Sequence, residues 1–287
     1  DLTISGAETL PPFDFIHRRT ENADIYFIWN KSGQEQRRRL SFRISDRRPQ
    51  LWDPVSGTTA SELVYDQGDG RTSLPLYLPP NGSVFVVFAA AAPVAGLEAL
   101  TRNGQTVYPV YHPDGPMVDH PGEYQLIGHD GRTRRVAIDA LPDPVPLEGA
   151  YEIRFPHGWG APPIDTFEQL RSWTDSDNEA IRHFSGVAAY HKSFELESNQ
   201  LDGYRLFLDL GEVQEVADVY LNGHRLGIRW HAPYRYDITE TARAGTNHLI
   251  VEVANVLSNR LTGDWKRPAD QRRTKTNVIK GPNAWMT

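Results

Sequence analysis

Apolar and polar residues alternate along much of this chain, with the period of strands rather than helices. Leu249, Val251 and Val253 alternate with His248, Ile250 and Glu252. Leu206, Leu208 and Leu210 share one face, as do Leu74, Leu76 and Leu78, and Leu40, Phe42 and Ile44. In residues 23–29, Ile25, Phe27 and Trp29 fall on one side and Tyr26 and Ile28 on the other. That pattern predicts a strand buried on both faces. Residues 63–65 and 83–88 add two more apolar runs, with turn signals at 30–34, 67–70 and 79–82. Leu51-Trp52-Asp53-Pro54 with Gly57 makes a tight corner. Closely spaced short strands separated by turns predict a β-sandwich, here over residues 22–92. Arg37-Arg38-Arg39 precedes one of these strands. An anion site and a solvated edge are both readings of that run. The edge is favoured, because charge on an edge strand blocks strand-to-strand aggregation.

Residues 211–255 carry the strongest local signals. The β-branched and aromatic run 216–221 ends at Asn222-Gly223, a pair that tolerates the positive φ angles of a type I′ hairpin turn. The return strand passes through Gly227 toward Trp230, and Asp237-Ile238-Thr239 closes a further turn. Gly245-Thr246-Asn247 reads as another turn before the strand at 249–253. Upstream, strands are expected at 151–155, 187–196 and 204–210, with a glycine- and proline-rich loop at 157–163 and one helical turn within 167–173. Residues 256–287 read as a polar, loop-rich tail.

The domain plan follows. Residues 1–21 are expected as a leader or linker and 22–92 as the first sandwich. Residues 93–146 are expected as a small β unit ending in the stiff Pro142, Pro144 and Pro146 linker, with a boundary near 89–92. Residues 147–287 form the last domain. Fold class is all-β, two sandwiches with the small unit between them.

Composition narrows the functional classes. The 287 residues suffice for two domains. A net charge of −7 argues against nucleic acid as the main partner. No apolar run of about 18 residues is present, the length a membrane-spanning helix needs. The absence of cysteine excludes disulfides and thiolate chemistry. The chain starts at Asp1 rather than Met, with no signal peptide, as expected for a mature product or a fragment.

Residues 211–255 resemble the galactose-binding-like jelly roll of the β-mannosidase and family 2 glycoside hydrolases. The matching positions are Ala217, Val219, Asn222, Gly223, Gly227, Pro233, Tyr234, Asp237, Ile238, Thr239, Gly245, Asn247, Leu249, Val251 and Val253. Further motifs resemble family-106 α-L-rhamnosidases and close relatives. These are His17-Arg18-Arg19 with residues 23–27, the Leu51-to-Gly57 corner, and Gly70-Arg71-Thr72 leading to residues 82–88. Phe184-Ser185-Gly186 with Tyr190, and residues 259–264, extend the likeness into the last domain, so that it covers about 16–277. Such enzymes are much longer, and their catalytic carboxylates and metal ligands lie in an upstream (β/α)₈ barrel. The resemblance therefore implies the C-terminal all-β region of such an enzyme, with the barrel of the same parent protein as its partner. It also implies a bacterial protein that is secreted or periplasmic. No catalytic residue is carried over.

The chemistry tested residue by residue agrees with that restraint. Glycoside hydrolysis needs two carboxylates across one sugar. The acid pairs Asp175/Asp177 and Asp66/Asp69 read better as solvated turns. The ten histidines form no HExxH and no ligand cluster. No cofactor is implied, although oxygen-rich loops of this kind could hold a structural calcium ion. Carbohydrate binding, a rhamnose-containing glycan in particular, is the live alternative to pure scaffolding, because C–H faces of sugars stack on aromatic rings. Trp159, Trp173, Trp230, Trp265 and Trp285 all lie in the last domain. The candidate site is Trp230, His231, Tyr234 and Trp265, with the competing reading that these rings pack the sandwich or face the barrel. Function is expected to be accessory to a rhamnosidase-like hydrolase; the alternative is a free-standing carbohydrate-binding protein.

Overall fold

The computed structural model describes residues 2–4, 12–61, 63–89 and 96–275. It divides into two compact units, Asp1–Asp143 and Pro144–Thr287. Trp285 and most of the 89–92 boundary lie outside the described residues. Nearly all regular structure is antiparallel β, and the fold is all-β. Among the described residues no helix is long and apolar enough to cross a membrane, which leaves β-barrels unaddressed.

The first unit contains a sandwich. One sheet runs in the order Leu2–Ile4, Gln36–Phe42, Arg71–Leu78, Asp66–Gly68. The other runs Phe13–Arg19, Ala23–Asn30, Ser83–Ala89, Pro49–Trp52, Thr59–Ala60. Between them pack Tyr26, Ile28, Leu40, Phe42, Leu74, Leu76, Val86 and Phe88. The aromatic members meet edge-on or tilted, with Tyr26 and Phe42 ring centroids 4.8 Å apart.

Phe13–Arg19, expected within a leader, is an edge strand of this sandwich, paired along its whole length with Ala23–Asn30. A buried charge explains its place. Asp24 sits at the end of the core and receives hydrogen bonds from Arg19 Nε (2.7 Å) and Arg47 Nη1 (3.1 Å). His17 Nε2 lies 2.9 Å from the same carboxylate, and its ring stacks flat on Tyr26. Burial works to raise the Asp24 pKa, but bonds and charge from Arg19 and His17 outweigh it and hold it below the ordinary value. The arginine run is likewise more engaged than a solvated edge: Arg37 lies over the Tyr77 ring and Arg39 pairs with Asp66.

Strand Ala23–Asn30 was expected to be covered on both faces. Only the face with Tyr26 and Ile28 reaches the core; Ile25, Phe27 and Trp29 stay half-buried on the outer side. The register aligns an apolar row across four strands there. Ile16 stands opposite Phe27, Phe27 opposite Phe85, and Phe85 opposite Trp52. Phe27 lies 4.9 Å from Phe85 and 5.8 Å from Trp29, centroid to centroid. Ile16 and Trp52 end the row exposed.

Residues 96–138 hold a four-stranded sheet with a small core of Val64, Leu100 and Tyr124. A parallel bridge from Val64 to Leu97 joins it to the sandwich within the first unit.

The second unit is built on a six-stranded sheet. Its order is Ile164–Phe167, Tyr151–Arg154, Val187–Leu196, Gly245–Ala254, Val216–Leu221, His224–Arg229. A two-stranded ribbon, Phe207–Asp209 with Arg235–Asp237, contributes Leu208 and Tyr236 to the core with Val219, Leu221, Leu249 and Val251. Asn222 and Gly223 have φ of 52° and 83°, the pair of positive values that a type I′ turn requires. Asn247, expected in a turn, instead lies in strand Gly245–Ala254 and is fully buried. The tail expected as loop contains helix Ser258–Trp265.

Candidate carbohydrate-facing site

Side chains able to meet a ligand gather on two loops of the second unit. The first follows strand His224–Arg229. Trp230 is 66% exposed and meets the His231 ring edge-on at 4.8 Å. His231 Nδ1 lies 2.7 Å from the Ala232 carbonyl. A carbonyl only accepts, so Nδ1 carries the proton in the neutral ring and Nε2 is left with its lone pair.

Tyr234 does not join them. It is 5% exposed, packs in the core, and donates its hydroxyl to the Glu215 carbonyl at 2.5 Å. The physical reason is alternation: Tyr234, Tyr236 and Ile238 point inward while Arg235 and Asp237 face out. Tyr234 is therefore corrected from a contact residue to a buttress beneath the loop.

The second loop is residues 157–163, between Tyr151–Arg154 and Ile164–Phe167. Trp159 is 54% exposed, and its ring stands over Gly186. A side chain at Gly186 would bring its Cβ within 3.1 Å of that ring, and φ there is 147°. The residues around it form one hydrogen-bonded assembly. Ser185 Oγ donates to the Val256 carbonyl (2.9 Å) and accepts from the Arg260 backbone N–H (3.0 Å). Asn255 accepts from Gly186 N–H and donates to the Phe184 carbonyl. Buried Arg260 donates from Nη2 to the Trp159 carbonyl at 2.8 Å. Burial, and next the Arg273 charge, lower the Arg260 pKa from its usual value.

Helix Ser258–Trp265 anchors the segment that follows it. Buried Asp264 accepts from the Arg273 and Thr274 backbone N–H groups and from the Thr274 hydroxyl. Burial tends to raise its pKa, but these hydrogen bonds prevail and keep the carboxyl ionised below the usual range. Gly263 lets the helix approach His183, because a Cβ there would lie 2.6 Å from the His183 Cβ. Trp265 is 54% exposed, with the Arg272 guanidinium 5.8 Å from its ring. A cleft of about 590 Å³ opens beside this segment, lined by His157, Gly158, Gly160, Ala161, Pro163 and Arg273.

Of the five tryptophans grouped by sequence, Trp173 is core: it packs against Phe155 and Phe184 and donates Nε1 to the Tyr190 hydroxyl. Among the described residues no ring contact links Trp230 to Trp265. Nor do three acidic or histidine side chains gather there in the way a metal ion needs. Sequence reasoning missed Arg273 and His157. The signal was the cation-rich stretch at 266–275, hidden because its partner, Gly160, is distant along the chain.

Residues 1–67 match the α-L-rhamnosidase family model of glycosyl hydrolase family 106. Residues 174–281 match the family described as glycosyl hydrolase 2 galactose-binding domain-like. A rhamnosidase structure from Novosphingobium sp. PP1Y is similar over 94% of this chain and 22% of its own, with 31% identity and a TM-score of 0.72. A putative β-glucuronidase of Formosa agariphila is 37% identical over 171 residues, 59% of this chain and 15% of that protein. A β-glucuronidase of the same organism is 31% identical over 94 residues, 32% of this chain and 9% of its own length. The chain thus spans less than a quarter of the length of each of these three relatives.

Proposed function

We propose, for a chain whose residues 1–67 belong with the family-106 α-L-rhamnosidases and whose residues 174–281 form a family 2 galactose-binding-like domain, that it is the non-catalytic C-terminal region of a rhamnosidase-like glycoside hydrolase. It supports the catalytic barrel of the parent protein and presents carbohydrate-facing loops beside it.

The observation that carries the supporting role is the outer face of the first sandwich. Outward strand positions of a sandwich are ordinarily polar. Here Ile16, Phe27, Phe85 and Trp52 form a continuous apolar row, widened by Ile25 and Trp29. Contiguous apolar surface of this kind marks an interaction site. All but Phe85 lie within the segment matched to the rhamnosidase family, and most of each relative's length lies outside the part this chain covers. A large domain of the same polypeptide is the fitting occupant.

Carbohydrate binding rests on Trp230, His231 and Trp265. Both rings remain more than half exposed, and His231 offers a fixed acceptor beside Trp230. A ring plane with an adjacent polar group suits a sugar's C–H face and hydroxyls. Polymeric glycans are met outside the cytoplasm, so this reading carries export to the periplasm or medium with it.

The test is to express the parent's barrel separately and mix it with this chain. Association on gel filtration and a raised melting temperature of the barrel are expected, both weakened by Ile16→Lys with Trp52→Lys. A barrel that neither associates nor gains stability refutes the supporting role. Calorimetric titration with a rhamnose-containing oligosaccharide should saturate and be lost in Trp230→Ala; heats unchanged by that substitution refute the sugar site.

A further inference from the structure

We propose that the cleft between the 157–163 loop and Arg273 is a subsite for an anionic sugar residue, one bearing a carboxylate or a sulfate ester. The inference deepens the carbohydrate-binding reading above and rests on it, but uses a different loop.

The first observation is charge. The chain has a net charge of −7, yet residues 260–275 hold Arg260, Lys266, Arg267, Arg272, Arg273 and Lys275 against Asp264 and Asp270. Asp264 favours the charged form of Arg260, but neither acid lines the cleft. Asp264 is buried and spent on the Arg273 and Thr274 backbone and the Thr274 hydroxyl. Three of the six cations are also occupied. Arg260 bonds the Trp159 carbonyl, Arg267 reaches Glu179, and Arg272 bonds the Arg267 carbonyl and leans over Trp265.

Arg273 is different. Its guanidinium lies against Gly160, so close that a Cβ on Gly160 would fall 1.4 Å from Nη1. Its backbone N–H is fixed by Asp264, and among the described residues no carboxylate pairs with its side chain. Arg260 feels it as a like charge. A guanidinium is always charged and presents a planar fork that binds carboxylate or sulfate-like oxyanions through two parallel hydrogen bonds. At this cleft an anion would relieve the repulsion between Arg260 and Arg273 as well as pair with Arg273.

The second observation is shape. The cleft, at about 590 Å³, is shallow and open, so it would receive one edge of a sugar ring and leave the rest in solvent. Apart from His157 and Arg273 its lining is Gly158, Gly160, Ala161 and Pro163, which leaves room for a ring. Trp159, in the same loop, is held in place by Gly186 and by the Arg260 bond to its carbonyl. Gly160 is required twice, by its φ of 98° and by the guanidinium resting on it.

The experiment is calorimetric titration of the intact chain with four probes: a glucuronic-acid disaccharide, glucose 6-sulfate, a neutral rhamnose disaccharide and inorganic sulfate. The uronate, the sulfated sugar or both should bind at least tenfold more tightly than the neutral disaccharide. Which one binds assigns the anionic group. Arg273→Ala and Arg273→Gln, both at an exposed position, should each reduce that affinity at least tenfold with an unchanged melting curve. Gly160→Ala should also reduce it by displacing the guanidinium, with a lowered melting temperature from strain at φ 98°, and Lys275→Ala should bind like the parent. Raising the salt concentration should weaken binding. Equal affinity for neutral and acidic sugars, full binding in both Arg273 variants, or inorganic sulfate binding as tightly as the sugars would overturn the proposal. Trp230→Ala, run in parallel, separates the two readings: it should abolish binding of the neutral rhamnose disaccharide and leave the acidic-sugar signal intact.

Discussion

Replacing Asn247 should cost the second unit several hydrogen bonds at once. Its side chain is fully buried and makes four hydrogen bonds. Nδ2 donates to the Arg243 carbonyl (2.7 Å) and the Gly245 carbonyl (3.0 Å). Oδ1 accepts from the Arg243 N–H (3.0 Å) and from Asn222 Nδ2 (2.8 Å). Asn222 in turn accepts from His248 N–H and donates to the Thr241 carbonyl, so one amide ties the hairpin turn to the start of the central strand. Each buried polar group left unpaired costs about 1–3 kcal/mol. Arg243 and Gly245 are exposed, so water can reach some orphaned groups, and Asn247→Ala should cost about 2–4 kcal/mol rather than the full sum. With a urea m-value of ~2 kcal/mol/M for a unit of this size, the unfolding midpoint should fall by roughly 1–2 M. Buried Trp173 reports that transition by fluorescence.

Asn247→Asp makes the sharper test. It keeps the acceptor and turns the donor into an acceptor facing two carbonyls. At neutral pH it should be at least as unstable as Asn247→Ala. The carboxyl should have a folded pKa above its unfolded value of about 4. Its penalty is then full above the folded pKa and absent below the unfolded one, so the aspartate variant should overtake the alanine variant below about pH 4. A cost below about 0.5 kcal/mol for alanine, or an aspartate variant as stable as the parent at pH 7, would refute this account of the corner.

Two further outcomes are expected. Gly223→Val should cost about 1–2 kcal/mol through backbone strain alone, because φ is 83° and no atom lies within 4 Å of a Cβ there; an unchanged urea midpoint would remove the turn from the argument. The depressed pKa of Asp24 gives the first unit stability that is present above the unfolded value near pH 4 and lost as pH falls through the lower folded one. Melting curves from pH 2 to 6 should show this loss, and Asp24→Asn should flatten it while lowering stability at pH 7 by about 1–3 kcal/mol, since the arginines left behind can rehydrate.

Much of this was legible in residue order because the signals are local. Two positive-φ residues at Asn222-Gly223 specify a turn whatever surrounds them. Period-2 alternation at Leu74, Leu76 and Leu78 needs only one face to be dry, and all three are core. The motif positions of both families were also readable, since they lie in order along the chain. Tyr234 was readable as well: Tyr234, Tyr236 and Ile238 alternate inward, although nearness to Trp230 suggests a shared surface.

What tertiary structure alone decided is which groups meet across the chain. Phe13–Arg19 carries polar residues and follows two prolines, yet it is a strand because its partner and the Asp24 charge exist only in the folded sandwich. Asn247 is polar and turn-flanked, and it is buried because the Asn222 amide and the Arg243 backbone arrive to satisfy it. The outer aromatic row depends on register, which aligns Ile16, Phe27, Phe85 and Trp52 from four separate strands. Arg273 becomes a distinctive cation only because Gly160 lies beneath it and Asp264 holds its backbone. Backbone preferences act between neighbours in sequence and so can be read there. Burial, register and the pairing of charges act between neighbours in space, and folding alone creates those.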